Sequence, residues 1–215
     1  MQRHLNLIFL LAAMLVSGSA SAEPLTRRQA LDALAQPGAP ARLAAIERLA
    51  GIGSPADAER VLDLLGDTNP DVREAAAVAV WKMWSRSGDP KIDRLFAVGI
   101  EQMQQSALHD ALTTFNDIVR QKPSFAEGWN KRATIHFLLG ENQKSLKDCD
   151  EVLARNPRHF GALSGAGQIH LQLGHLRPAL AFFRRAVEVN PTLDGLLRLI
   201  PMIEERLRED DKNMI

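Results

Sequence analysis

The side chains best suited to chemistry in this chain are six histidines and one cysteine. His136 and His170 recur at the same spacing as the prolines of the chain, and two imidazoles could begin a zinc site. No third ligand of obvious origin accompanies them, so we expect these histidines to be packing residues and the chain to hold no metal. Cys149 is the single thiol, which excludes an internal disulfide. Its place on an apolar helix face predicts a buried core residue rather than a reactive thiol or an intermolecular disulfide.

The motifs of common catalytic sites are absent from the sequence. It contains no phosphate-binding GxxxxGK[ST], no HExxH, no CxxC pair and no GxSxG. The glycine-rich run GALSGAG at 161–167 follows no strand pattern, so helix packing explains it better than phosphate binding. We therefore predict that the protein is not an enzyme and needs no cofactor.

The charge balance also excludes one class of partner. The chain has 26 basic and 26 acidic residues, and removing the segment 1–22 takes away only Arg3, which leaves 25 − 26, or −1. Nucleic-acid-binding proteins usually present a basic face and aromatic side chains for base stacking. We therefore expect no nucleic-acid partner.

The segment 1–22 has the composition of a secretory signal peptide. A basic start at Arg3 is followed by an apolar run over 5–16 and by the small residues Ala20, Ser21 and Ala22. This pattern predicts cleavage after Ala22 and an exported protein, which is periplasmic if the organism is bacterial. We expect no membrane span in the mature chain, since no later stretch is long and apolar enough.

The elements that must position any site are identified by a period of about 34 residues, which is typical of repeated helix pairs. Pro123, Pro157 and Pro191 follow this spacing, and so do Gly140 and Gly174 between them. Glycine can end a helix in the left-handed conformation, and proline stops the helix that follows. The period therefore predicts three helical hairpins over 92–125, 126–159 and 160–193. The turn of the first hairpin departs from this pattern, because Gln105 and Ser106 stand where the other two hairpins have Leu-Gly.

The repeated segments resemble the tetratricopeptide repeat family. AEGWNKRATIHFLLGENQKSLKDCDEVLARNP looks like one full repeat, and FGALSGAGQIHLQLGHLRPALAFFRRAVEVNP looks like the next. The residues at which the two helices of a hairpin would touch are small, namely Gly99, Ala133 and Gly167. The resemblance covers a little under half of the chain and implies an all-α, right-handed solenoid with an extended binding surface.

The resemblance also indicates where a partner would bind. In this family the first helix of each repeat lines the concave face, chiefly at its second, fifth, ninth and twelfth positions. In this chain the second positions are Asp93, Glu127 and Gly161. The candidate peptide-binding residues at the other three positions are Phe96, Ile100, Met103, Asn130, Thr134, Phe137, Ser164, Gln168 and Leu171. Family members that clamp a chaperone's terminal carboxylate use lysine and asparagine at the fifth and ninth positions, and no lysine occurs at either position in this chain, so we do not expect that specificity. The alternative is that the first-repeat residues are simply buried.

A second helical region precedes the repeats at 23–88. Arg42 and Arg73 are separated by the same spacing as Ala45 and Ala76, and this shorter period resembles that of HEAT-type repeats. Two hairpins cannot bury their apolar faces alone. We therefore expect Trp81 and Trp84 to pack against the first tetratricopeptide helix and to join both parts into one rod. The alternative is an exposed aromatic platform for a glycan or a cation.

The sequence thus predicts four segments: a signal peptide at 1–22, HEAT-like hairpins at 23–88, three tetratricopeptide repeats at 89–192, and a capping helix with a frayed tail at 193–215. Pro201 is expected to kink the capping helix or to begin its second half.

The function that follows is a noncatalytic scaffold or adaptor that binds a peptide or helix of a partner protein. Two alternatives stay open: an accessory subunit or regulator of a cell-wall enzyme, or an enzyme without a recognisable motif. Self-association through the open ends of the solenoid is a further interpretation.

Overall fold

The computed structural model describes residues 23–213, and within this range every regular element is helical. The predicted signal peptide lies outside the described residues. The helices are α1 (Arg27–Ala33), α2 (Ala39–Ile52), α3 (Ala58–Leu62), α4 (Pro70–Trp84), α5 (Pro90–Gln104), α6 (Leu108–Gln121), α7 (Ala126–Leu138), α8 (Asn142–Arg155), α9 (Phe160–Gln172), α10 (Leu176–Val189) and α11 (Asp194–Asn213). Helices α5 to α10 form the three predicted hairpins, which confirms the all-α solenoid.

The three hairpins turn in the same way. The residue at each turn has a positive φ, which is 59° at Ser106, 76° at Gly140 and 74° at Gly174. The next residue donates its backbone N–H to a carbonyl of the preceding helix, as Glu141 does to His136 at 2.8 Å. The first hairpin therefore makes the same turn as the others, although serine stands where they have glycine.

Replacing Ser106 by glycine is expected to stabilise the protein by about 1 kcal/mol, because a left-handed backbone strains a residue that has a Cβ. Urea unfolding monitored by circular dichroism measures the change. Ser124→Gly is the matched control, since Ser124 has no positive φ. Equal effects of the two substitutions would contradict the idea that the turn at Ser106 is strained.

Each hairpin is closed by a small residue facing a residue of the second helix. A Cβ added to Gly99 would lie 2.6 Å from the ring of Phe115, and one added to Gly167 would lie 2.5 Å from the ring of Phe183. The second hairpin differs, since Ala133 packs with Cys149 at the equivalent positions. The small residues therefore lie at helix contacts, as the period predicts.

Side chains cap the first helix and the last helix of the N-terminal unit, residues 23–88. Thr26 and Gln29 form a capping box at α1, and the Asn69 side chain accepts backbone N–H groups at the start of α4. The segment 55–66 is not one continuous helix, since 3₁₀ turns at Pro55–Asp57 and Asp63–Gly66 flank the short α3. The resemblance of the whole N-terminal unit to HEAT repeats stays a prediction.

The predicted packing of Trp81 and Trp84 against the first tetratricopeptide helix is wrong. Trp84 stacks on His159 with ring centroids 4.3 Å apart, and Trp81 meets Phe160 edge-on at 5.2 Å. Trp84 is 4% exposed, so it forms no exposed platform. The start of α9 accepts these rings because Gly161 has no side chain there, and a Cβ would lie 2.5 Å from Trp81.

The N-terminal unit therefore folds back along one edge of the repeats. Its core includes Phe160 and packs against Val189 and Leu193, which belong to the third repeat. Arg158 adds ion pairs to Glu59 and Asp63 at the surface. The unit thus shares its apolar core with the repeats and does not extend them as a rod.

Helix α11 covers the far end of the repeats. Its Ile203 is buried against Leu180 and Phe183 of α10, which confirms the predicted capping helix. Pro201 lies inside α11, and the helix runs through it as one element, so Pro201 does not begin a second helix.

Candidate functional site

A cavity of about 180 Å³ opens in the groove between α7 and α9. Four of the predicted groove residues line it together, namely Asn130, Thr134, Phe137 and Gln168. The remaining wall is built mainly from small side chains, and these are Ala133, Ser145, Cys149, Gly161 and Gly165. The period thus brings part of the predicted site together at one place, which we call the groove pocket.

The groove pocket exists because the residues that pack between the two helices of the second hairpin are small. In the first and third hairpins a phenylalanine ring fills the space beneath a glycine. In the second, Cys149 takes the place of phenylalanine and faces Ala133. The cysteine side chain is much smaller than a phenyl ring, so the space that a ring occupies elsewhere stays open toward the groove.

Cys149 forms the floor of the pocket, and its thiol is unreactive. It is 3% exposed, and burial raises the pKa of its thiol to about 12, with a smaller contribution from the neighbouring charges of Asp148 and Asp150. A thiol with this pKa is protonated at neutral pH and is a poor nucleophile. The prediction of a buried core cysteine is confirmed.

The polar side chains of the pocket differ in whether they already have hydrogen-bond partners within the protein. Asn130 is buried, and its Nδ2 donates to both carboxylate oxygens of Glu127 at 3.1 and 3.2 Å. Thr134 donates its hydroxyl to the carbonyl of Asn130 at 3.0 Å. Gln168 is exposed, and its side-chain amide has no partner within the part of the chain described. Gln168 is therefore the group best placed to bind a partner.

The other predicted groove residues lie elsewhere. Phe96 is buried in the core of the first hairpin, 5.7 Å from the ring of Phe115, and Ile100 and Met103 pack against the same core. Ser164 donates its hydroxyl to the carbonyl of Phe160 at 2.7 Å. Leu171 packs in the cluster that α11 covers. The groove pocket thus belongs to the second and third repeats.

A buried polar cluster beside the pocket was not predicted from the sequence. Glu127 and His159 are both fully buried, and Nε2 of His159 lies 3.0 Å from Oε2 of Glu127. The backbone N–H of Ala162 donates to Nδ1 of His159, so the imidazole hydrogen lies on Nε2 and is donated to Glu127. The position of His159 is occupied by Phe125 and Leu193 in the neighbouring repeats. A polar residue at a position that is otherwise apolar could therefore have indicated this cluster from the sequence.

The cluster also sets the charge of Glu127. Burial would raise the pKa of its carboxyl, but the hydrogen bond from His159 and the nearby charge of Lys131 outweigh burial and hold the pKa below its ordinary value. Glu127 is therefore ionised at neutral pH. Because His159 also stacks on Trp84, the cluster joins the second and third repeats to the N-terminal unit.

The two period-related histidines form separate pairs. Nδ1 of His136 lies 2.6 Å from Glu141, and the rings of His170 and His175 lie 5.7 Å apart. Over residues 23–213 no three metal-ligating side chains come together in a way that could hold an ion. Within the same range, no helix has the length and apolar character to cross a membrane.

Comparison with known proteins identifies the class of helical-hairpin repeat to which this fold belongs. The model of the tetratricopeptide repeat family matches residues 161–193. A TPR repeat-containing protein of Rhizobium etli is 30% identical over 141 residues, which cover 66% of this chain and 69% of that protein. The chain therefore belongs to the tetratricopeptide repeat family.

Solved structures show the same fold. The first TPR domain of Spaghetti (RPAP3), bound to an HSP90 peptide, matches with a TM-score of 0.53 and 21% identity over 55% of this chain and 94% of that domain. The Yersinia enterocolitica secretion chaperone SycD, in complex with a peptide of the translocator YopD, matches with a TM-score of 0.50 and 13% identity. That match covers 59% of this chain and 97% of SycD.

Proposed function

We propose that this protein is a noncatalytic interaction module that binds a short segment of a partner protein in the groove pocket. The observation that carries the proposal is the cavity left open by Ala133 and Cys149, in line with the exposed amide of Gln168. Two proteins of the same fold, RPAP3 and SycD, have structures with a bound peptide, which supports a peptide as the ligand.

The size and lining of the pocket favour one apolar side chain as the anchor. At about 180 Å³ the pocket is smaller than the roughly 300–1,000 Å³ typical of small-molecule and cofactor sites. Its wall is mostly apolar, because much of it is formed by alanine, glycine and the protonated thiol of Cys149. An aliphatic side chain of the partner would fill it, while Gln168 hydrogen-bonds the partner's backbone.

Export completes the proposal and rests on the segment 1–22 alone. We infer that the mature module acts outside the cytoplasm, in the periplasm if the organism is bacterial. There it serves as a scaffold or adaptor for an envelope protein, and an enzyme that acts on the cell wall is one such partner.

Site-specific photo-crosslinking in the native cells tests the groove. A photoreactive amino acid at Gln168 should form one dominant adduct, because this side chain borders the pocket and is exposed. The matched control carries the same amino acid at Gln143, which is exposed on α8 and does not line the pocket. Equal adducts from both positions, or an adduct from Gln143 alone, would contradict binding in the groove.

A further inference from the structure

A second cleft lies between the N-terminal unit and the loop that precedes α7. It has a volume of about 320 Å³ and is separate from the groove pocket. Trp84 and Arg86 line it from the N-terminal unit, and Lys122 and Phe125 line it from the repeats. The cleft exists because the N-terminal unit docks along the edge of the repeats, so neither part forms it alone.

The charges around the cleft are unbalanced. Arg86 has no carboxylate partner among the described residues, and its guanidinium donates to the backbone carbonyls of Ala50, Gly51 and Gly53 at the end of α2. Lys122 has no carboxylate partner in the part of the chain that is described. The other charged side chains of the lining are already paired, Arg155 with Glu151 and Glu59 with Arg158. Two cationic side chains without a carboxylate partner therefore line one cavity.

One of the residues that line the cleft, Trp84, has an indole N–H without an acceptor within residues 23–213. The indole of Trp84 is only 4% exposed, and its Nε1–H has no partner among the described residues. Buried donors without partners are rare and call for an explanation. Helix α7 also starts at this cleft, and no side chain between residues 23 and 213 caps its first N–H groups. The ionised Glu127 in the first turn of α7 already lies at the positive end of the helix dipole, so the attraction for an anion comes from the two cationic side chains.

Much of the remaining wall is apolar, and the rings of Trp84 and Phe125 and the side chain of Pro55 form this part. Ser87, Ser124 and Asn156 also line the cleft. A hydrated inorganic anion would leave the apolar surface uncovered, whereas a ligand with an apolar body and one carboxylate would satisfy both parts of the cleft. We propose that the cleft binds a small carboxylic acid, whose carboxylate lies near Lys122 and Arg86 and whose apolar body packs on Trp84 and Phe125. This inference does not rest on the groove pocket.

Isothermal titration calorimetry of the purified chain, residues 23–215, with 3-phenylpropionate tests the site. The uncharged amide, 3-phenylpropionamide, is the matched probe, and we expect it to bind at least roughly tenfold more weakly because the charge-assisted hydrogen bonds are lost. Lys122→Gln should weaken binding of the acid by roughly tenfold, while Lys147→Gln, on the exposed face of α8, should change it less than roughly twofold.

Trp84→Phe tests the buried donor separately, because it keeps an aromatic ring and removes the N–H. We expect a loss of roughly threefold to tenfold in affinity, with a circular dichroism spectrum like that of the wild type. Several results would overturn the proposal: no binding of the acid at millimolar concentration, equal binding of the amide, equal losses in the two lysine variants, or tighter binding of sulfate or of a tripeptide than of 3-phenylpropionate.

Discussion

Replacing Glu127 by alanine is expected to lower the free energy of unfolding by roughly 3–5 kcal/mol. The carboxylate accepts hydrogen bonds from His159 and Asn130, both of which are buried, and Lys131 lies 2.9 Å away. Without it, the Nε2–H of His159 and the amide of Asn130 lose their acceptor inside the protein. Because His159 stacks on Trp84, the loss should also loosen the contact between the repeats and the N-terminal unit.

Urea unfolding of matched variants measures this effect. Glu127→Gln keeps one acceptor oxygen and should cost less than the alanine variant. Asp117→Ala removes an exposed ion pair with Arg120 and should cost less than about 1 kcal/mol. If Glu127→Ala destabilised the protein no more than Asp117→Ala, the buried cluster would not stabilise the contact between the repeats and the N-terminal unit.

The dependence on pH gives a second measure of the same cluster. The pKa of Glu127 is lowered in the folded protein, so its contribution is present above the ordinary value of 4.5 and is lost as pH falls through the folded pKa. The wild type should therefore lose stability on acidification more steeply than Glu127→Gln, which has no carboxyl to protonate. Parallel curves would show that protonation of Glu127 has no effect on folding.

The sequence predicts local features of this fold well because they depend on residues close in the chain. Gly140 and Gly174 mark the hairpin turns, and Pro123 and Pro157 follow the ends of α6 and α8, since each acts through its own backbone or that of its neighbours. Even the turn at Ser106 follows from the period, because the helices on both sides hold it in place.

The docking of the N-terminal unit could not be predicted in this way. A tryptophan on an amphipathic helix can be predicted to be buried, but the sequence of that helix does not show which element it packs against. The partner of Trp81 is decided by the space at Gly161, far along the chain, and by the polar pair of His159 and Glu127 next to it. These contacts are tertiary and leave no periodic signal.

The groove pocket could be predicted only in part, because the repeat pattern fixes which positions lie close together. Equivalent positions in the repeats place Asn130, Thr134, Phe137 and Gln168 together, because the pattern describes the backbone. It does not describe how each position is packed. Phe96 occupies a groove position by pattern, yet it packs on the rings of Phe115 and Phe125 because a large apolar side chain is more stable in the core.

Filling the groove pocket should abolish partner binding without unfolding the protein. The double substitution Ala133→Gly with Cys149→Phe gives the second hairpin the same glycine and phenylalanine pair that closes the other two. The new ring should occupy the cavity and displace the anchoring side chain of the partner. Stability should stay within about 1.5 kcal/mol of the wild type, because the pair fits this hairpin geometry elsewhere in the chain.

The single substitutions separate packing from binding. Cys149→Phe alone keeps the Cβ of Ala133 against the new ring and should cost about 1–3 kcal/mol through overpacking. Ala133→Gly alone leaves the pocket open and should keep binding. The adduct formed from position 168 is the measure in each case, with urea unfolding beside it. If the double variant is folded and still forms this adduct, the partner does not enter the pocket, and binding must use the exposed groove surface around Gln168 instead.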